Sequence, residues 1–409
     1  MKSLKLRVRK TMFVFIAATG VFVLLFAQWR INSQALMSAG AENLTNPLPD
    51  LTDQEKDDFM AGLEDFLEVE TVEDGLGPVF NAKSCAECHA VPSVGGSEPN
   101  VGVARETRIG RLFMFNGRFD PLDGSVSVNR GGGLLQQRAI NLPGCHLKGE
   151  AVPAEATFVS LRNSPPLFGA GLMEAIPEAT IVANASLNGG RPNRVFNPDT
   201  GTTELGRFGW KAQVATLHQF AGDAYLNEMG ITNPSFPDEN LPQGQPMPPE
   251  CDTVDDPEDD GSGVTAFTNF MRFLAPAPRR PVTVQVQQGE HVFSEIGIGC
   301  ASCHVPTMMT GPNSVAALSN KPVNLFSDLL LHDIGTGDGI EQGEATGSEF
   351  RTAPLWGLSR RDRFMHDGGS NTIEKAILRH GGEAQNARDR FGGLSPADHD
   401  ALLAFLDSL

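Results

Sequence analysis

Cys300-Ala301-Ser302-Cys303-His304, with its earlier counterpart Cys85-Ala86-Glu87-Cys88-His89, decides how this chain is read. In a C-x-x-C-H run the two thiols bond the vinyl groups of a haem and the histidine that follows ligates its iron. A zinc ribbon would need its two C-x-x-C pairs roughly 15–20 residues apart, whereas about 210 residues separate Cys88 from Cys300. A thioredoxin-like redox pair does not require a histidine after both motifs. The pattern therefore predicts two covalently bound haem c groups, with His89 and His304 as iron ligands.

Outward from these motifs, apolar spacing predicts helices. Phe59, Leu63, Phe66 and Leu67 share one face before Cys85, and Phe267, Phe270, Met271 and Leu274 share another later on. Between them residues 91–208 are punctuated by Gly, Pro and Asn, which predicts short elements only, and Lys211 to Met229 reads as helical. Ala275-Pro276-Ala277-Pro278 stops the second stripe. After it come a helix, the Cys300 motif, a long loop and a last helix with Leu402, Phe405, Leu406 and Leu409 on one face. That is the order of a small class I cytochrome c. The expectation is a mainly α fold with long loops and two cytochrome-c-like haem domains, at residues 51–276 and 277–409. The 44 glycines and 28 prolines fit a loop-rich chain ordered in part by bound cofactors.

Fifty acidic against 32 basic residues give a net charge of −18, which excludes nucleic acid and anionic lipid surfaces as partners and suits a cationic protein. The first thirty residues differ. Lys2, Lys5, Arg7, Arg9 and Lys10 precede an apolar run from Thr11 to Trp29, the pattern of an export signal or retained membrane anchor, with residues 31–50 as linker. Positive charge before the run places everything after Arg30 outside the cytoplasm, in the periplasm of a bacterial cell. In that oxidising compartment the two remaining cysteines, Cys145 and Cys251, favour a disulfide between loops, with free thiols as the alternative.

Several ordered motifs resemble the di-haem oxidoreductase family: Gly75-Leu76-Gly77-Pro78-Val79-Phe80-Asn81 leading to Ser84-Cys85, Phe168 to Pro177, Gly206-Arg207-Phe208-Gly209-Trp210-Lys211-Ala212, and His366-Asp367-Gly368 followed by His380-Gly381-Gly382-Glu383-Ala384. Members are described as peroxidases, also labelled thiol oxidoreductases, and are distant kin of bacterial di-haem cytochrome c peroxidases and MauG. In those peroxidases the methionine ligand of the electron-transfer haem lies fourteen positions after the histidine of His-Asp-Gly, a count that lands here on His380. MauG has tyrosine there. Among Met365, His366 and His380, the resemblance thus favours His380 as the partner of His304.

The resemblance also implies roles. Trp210 corresponds to the tryptophan between the haems, with a packing role as the alternative. The pocket glutamine falls on Phe220, next to Gln219, and the pocket glutamate matches Glu228 only with a two-residue deletion. Peroxide cleavage needs a base that takes a proton from one peroxide oxygen and returns it to the other. Glu228 is the first candidate and Glu174, in an apolar run, the second; an ion-paired carboxylate is the alternative for each. Arg207 is a candidate for a haem propionate, or else for a surface salt bridge. Calcium in the related enzymes is bound by backbone groups just before His-Asp-Gly, where this chain has Arg361 and Arg363; Asp256 to Gly261 lacks the twelfth-position glutamate of an EF-hand and reads as a solvated acidic loop.

The expected function is reduction of hydrogen peroxide, or another small oxidant, at the His89 haem. Electrons would enter at the His304 haem from a small cationic cytochrome or a membrane redox complex. The rivals are a pure electron carrier, with Met173, Met229 or His218 closing the first iron, and a haem-dependent oxygenase, which an apolar Phe220 would suit.

Overall fold

Thr52 starts the first described helix, α1 (Asp53–Leu67), by a capping box: its hydroxyl accepts from Glu55 N while the Glu55 carboxylate accepts from Thr52 N. The computed structural model describes residues 43–98, 110–114, 133–152, 154, 156–242, 245–295 and 297–409. Residues 1–30, read as an export signal or anchor, and most of the linker lie outside these. Among the described residues no helix is long and apolar enough to cross a membrane.

Among the described residues eight helices follow α1: α2 (Ala170–Glu174), α3 (Glu178–Asn188), α4 (Leu217–Met229), α5 (Ser262–Phe273), α6 (Val284–Ser294), α7 (Ile373–Leu378), α8 (Gln385–Gly392) and α9 (Pro396–Ser408). The described strands are short and antiparallel, in sheets of two or three: 79–80 pairs with 138–139, 110–114 lies between 133–134 and 158–162, 194–197 pairs with 202–205, 308–309 with 322–323, and 331–333 with 349–351. Helices and long connections make the scaffold, as a mainly α reading requires.

The packing repeats itself. α1 crosses α5, burying Phe59, Leu63 and Phe66 against Phe267 and Phe270, and the Phe66 and Phe270 rings lie 4.6 Å apart. α6 crosses α9, burying Val286, Val292 and Phe293 against Leu402, Phe405 and Leu406, with Phe293 and Phe405 5.1 Å apart. Both crossings turn on a glycine. A Cβ at Gly62 of α1 would overlap the Ala266 carbonyl of α5, and one at Gly289 of α6 would overlap the Ala401 carbonyl of α9. Only a residue without a side chain lets the backbones approach so closely.

Three local expectations change. The helix expected from Lys211 begins at Leu217, capped by the Thr216 hydroxyl, because Lys211 is drawn into the protein, where its Nζ donates to the carbonyls of Thr346 and Glu349. Residues 91–208, expected to hold only short elements, include α3, eleven residues ended by Gly189 in the left-handed region. The acidic stretch at 256–258 is more than a solvated loop: oxygens of Glu239, Asp252, Asp256 and Glu258 gather within 4.8 Å of one another. Burial and mutual repulsion push the Glu239 carboxyl up to about 9. Beside it Cys145 and Cys251 form a buried disulfide, Cα–Cα 4.9 Å, between loops 106 residues apart.

Candidate functional site: two haem motifs and the groups between them

α6 delivers the chain to Gly299, whose left-handed backbone turns it into a short 3₁₀ segment, Cys300–Ser302. His304 follows, its Nδ1 2.9 Å from the carbonyl oxygen of Phe326. Nδ1 thus donates the proton and Nε2 is left as a free base. Burial holds the His304 pKa down at about 4, so the ring is neutral, as a metal ligand must be. Cys300, Cys303 and His304 line a cavity of about 350 Å³ with apolar walls from Phe293, Ile298, Leu355, Leu358, Phe391 and Leu402. That size and lining suit a bound cofactor.

Met365, His366 and His380 all reach the same cavity. His366 is committed to packing: its ring stacks on Phe350 at 3.9 Å between centroids and meets Trp210 edge-on at 6.4 Å. Met365 stands in the left-handed region, φ 70°, at the turn into His366. His380 follows α7 with its Nδ1 2.8 Å from the Ala376 carbonyl, again freeing Nε2, and burial lowers its pKa.

The loop carrying His380 is tied to the Cys303 segment by a network that sequence reasoning missed. His332, buried, places Nε2 2.9 Å from Asp328 Oδ2 and Nδ1 2.7 Å from Glu383 Oε2. Glu383 also accepts from Asp333 N, and Asp328 N donates to the Cys303 carbonyl. Burial alone would lower the His332 pKa, but bonding to Asp328 and to the Cys303 sulfur raises it to about 11, so the ring is an imidazolium. The signal was present in His380-Gly381-Gly382-Glu383, whose glutamate received no role.

The first motif sits on an equivalent 3₁₀ turn, Cys85–Glu87, capped by Ser84. His89 places Nδ1 2.9 Å from the Gly96 carbonyl, and burial lowers its pKa against backbone hydrogen bonds to Gly96 and Pro165, so this ring too is neutral. Its surroundings are different in kind. Burial pushes the Cys85 thiol up to about 12, and the carboxylates of Glu70 and Glu228 add to that shift, which places both near the motif. Asn81 Nδ2 donates to Glu228 at 2.9 Å, and burial raises Glu228 to about 7. Glu70, unnoticed in the sequence, accepts from the Tyr225 hydroxyl at 2.8 Å and is also raised to about 7 by burial.

The other candidates divide. Glu174 lies away from this group: one oxygen accepts from Leu217 N at 2.8 Å, the other from Arg272 at 3.3 Å, the pattern of an ion-paired carboxylate at a helix start. Gln219 is fully buried with both amide ends used, on Ala215 N and the Phe196 carbonyl. Arg207 meets no carboxylate at the surface. It is buried and donates to the carbonyls of Met173, Glu174 and Ile176, closing the C-terminal end of α2. Of the proposed sixth ligands for the first iron, His218 is half-exposed and held by Asp199 at 2.7 Å.

Trp210 donates to the Asn163 carbonyl at 2.7 Å and lines two cavities. One is the His304 cavity. The other is small, about 40 Å³, and is bounded by Met173, Phe208, Leu217 and Phe220, with Phe220 stacked on Phe208. Arg351 and Arg361 line both as well.

Residues 150–409 match the family described as "Di-haem oxidoreductase, putative peroxidase". The chain belongs to the di-haem oxidoreductase family. The match includes Cys300 to His304 and His380; Cys85 to His89 precede it. No curated protein matches the sequence. Among solved structures, the diheme peroxidase BthA from Burkholderia thailandensis is 16% identical with a TM-score of 0.44, covering 89% of this chain and 86% of its own. Hydrazine synthase of Kuenenia stuttgartiensis (15%, TM-score 0.42, 91% and 96%) and a MauG-like protein associated with microbial copper homeostasis (15%, 0.41, 91% and 95%) are similar to the same degree.

As a di-haem oxidoreductase the chain needs places for two haems, and its residues fit them. Each C-x-x-C-H histidine is neutral with Nδ1 on a carbonyl, and the second motif, its Nε2 available, opens on a largely apolar cavity with His380 on its wall. At the calcium position implied by resemblance the side chains are cationic. Arg361 and Arg363 turn fixed positive charge toward the cavity there, which repels a cation.

Proposed function

We propose that this oxidoreductase is an exported peroxidase of two cytochrome-c-like halves, 51–276 and 277–409, that reduces hydrogen peroxide near His89 with electrons received near His304. Cys85 and Cys88, and Cys300 and Cys303, would attach the two haems covalently; His89 ligates one, and His304 with His380 the other. When bound, the haems supply iron that stores electrons and, at one site, an open coordination position.

Glu228 carries the reading. It is a buried carboxylate near the Cys85 motif, held by Asn81, with a pKa of about 7. At that pKa its carboxylate takes a proton from one peroxide oxygen and returns it to the departing one at neutral pH. Glu174 is the weaker candidate because its oxygens are already engaged. Trp210, on the wall of the His304 cavity and of the cavity by Met173 and Phe220, is the bridge for electrons between the halves. The family model shows di-haem oxidoreduction; the direction of flow is our reading. With a net charge of −18, the donor is a small cationic cytochrome unless an N-terminal anchor brings the protein to a membrane complex.

Electron paramagnetic resonance of the oxidised and half-reduced protein, before and after peroxide, tests this. One high-spin or water-ligated ferric signal that peroxide removes is expected. Two low-spin signals indifferent to peroxide in both states would make the protein an electron carrier.

A further inference from the structure

The arginines buried in the fold, and the half-buried ones along the His304 cavity, are not equally provided for. Arg162 pairs with Asp338 at 2.7 Å, Arg207 with three carbonyls, and Arg351 donates to the Gly209 carbonyl at 2.9 Å with Asp328 near enough to favour its charge. Arg361 and Arg363 are the exceptions. Arg361 donates to the Trp356 carbonyl at 2.9 Å; burial lowers its pKa to about 10, and among the described residues no carboxylate offsets that shift. Arg363 has its Nε buried without a partner. Both line the cavity that holds His304 and His380. A guanidinium has five donors and stays charged, so two of them on the wall of a largely apolar cavity, where Glu383 is the one carboxylate among the described residues that line it, call for an anionic partner.

We infer that Arg361 and Arg363 receive the two propionates of the haem bound between His304 and His380. The inference rests on the haem reading above and adds to it: two carboxylates match two guanidiniums, and planar bidentate pairing is what Arg offers a carboxylate. The pair also sets the electrical character of the site. Two fixed positive charges favour the reduced iron, which carries one positive charge fewer, and keep the propionates ionised. His332, Arg351, His366, Glu383, Arg388 and Arg390 also face this cavity, but they are the same in protein with and without the pair.

The test uses the full haem-loaded protein and the variants Arg361→Gln, Arg363→Gln, the double variant and the two Lys replacements. Haem content by pyridine haemochrome comes first: wild-type protein without haem at Cys300 and Cys303 would sink the haem reading itself. Spectroelectrochemical titration from pH 5 to 9 then tests the arginines. In the double Gln variant the equilibrium constant for reducing the His304 haem should fall about tenfold, a drop of about 59 mV for one electron. A propionate should also begin to titrate, making the potential slope with pH where the wild type is flat, and Lys should restore most of both effects. A haem-loaded double variant with an unchanged potential and unchanged pH profile overturns the inference. Should the Gln variants fail to accumulate, redox-difference infrared spectra of the wild type decide it, because a propionate that protonates between pH 5 and 9 in intact protein would also overturn it.

Discussion

The two C-x-x-C-H motifs are presented by nearly the same device and then surrounded by opposite chemistry. Before each motif a helix with a close-contact glycine, Gly62 or Gly289, crosses a later helix, and the cysteines follow on a 3₁₀ turn; the two regions are the halves of the proposed division. Each half also locks its histidine by a carbonyl on Nδ1, Gly96 for His89 and Phe326 for His304. Beyond that the halves diverge. Around His304 the wall joins apolar side chains to arginines and offers His380; around Cys85 it offers Glu70 and Glu228, two carboxyls that burial has raised to about 7. A closed coordination sphere suits electron storage, and a buried acid suits proton transfer. The scaffold therefore repeats while its surroundings do not, and the proposed division of function rests on that difference.

The strongest way to break the comparison is Glu228→Gln. Peroxide-dependent oxidation of a reduced donor should fall by about 10²–10⁴-fold, the usual contribution of a positioned base. The low-spin signal of the His304 half should be untouched. The pH profile sharpens the same point: Glu228 acts as a base only when ionised and its pKa is raised to about 7, so kcat/KM of the wild type rises with pH through about 7 and then levels. The Gln variant should lack that rise. Turnover within tenfold of wild type would move the base elsewhere, with Glu70 the next residue to change.

A second experiment asks whether the halves are held equally. The described disulfide, Cys145–Cys251, packs into the core that contains α1 and α5, and the core of α6 and α9 contains none. Replacing both cysteines by Ser should cost about 2–4 kcal/mol by denaturant unfolding. Haem signals from the His89 half should broaden before those of the His304 half. Equal loss in both would mean that the halves unfold as one unit.

Most of the repeated part was legible in the sequence. Cofactor attachment depends on covalent spacing, so C-x-x-C-H can be read without a structure. The apolar stripes are local: Phe59, Leu63, Phe66, Phe267, Phe270, Leu402 and Phe405 are all buried as their spacing implies. His380 was reached by counting along a resemblance. What escaped was the divergent part, because it is built from residues far apart in the chain. Glu70 meets Tyr225 across 155 positions, Asn81 meets Glu228 across 147, and Arg207 found carbonyls more than thirty residues away. Single polar residues carry no periodicity, and only the fold says which of them are buried together.

Glu383→Ala tests how far the closed sphere depends on the network behind it. Glu383 joins the His380 loop to His332 and Asp333. Without it, part of the His304 haem should turn high-spin, seen in the near-infrared and by electron paramagnetic resonance. Loss of such a supporting partner is typically worth about 10–100-fold in metal affinity. A fully low-spin variant would show that α7 alone holds His380 in place.

The smallest effect concerns charge carried by the first half alone. Glu239 stands among Asp252, Asp256 and Glu258, and its carboxyl is raised from the ordinary 4.5 to about 9, first by burial and then by those neighbours. A carboxyl whose folded pKa exceeds its unfolded one binds more protons in the folded state between the two values. Its stabilisation is complete below about 4.5 and is lost as pH rises toward about 9. Stability of the wild type should therefore decline across that window. Glu239→Gln keeps the shape and removes the titration, so it should match the wild type near pH 5 and exceed it by about 1 kcal/mol near pH 8. Thermal unfolding at both pH values measures the difference. If the variant gained nothing at pH 8, the repulsion would be relieved by the surrounding solvent, and the first half would carry no more electrostatic strain than the second.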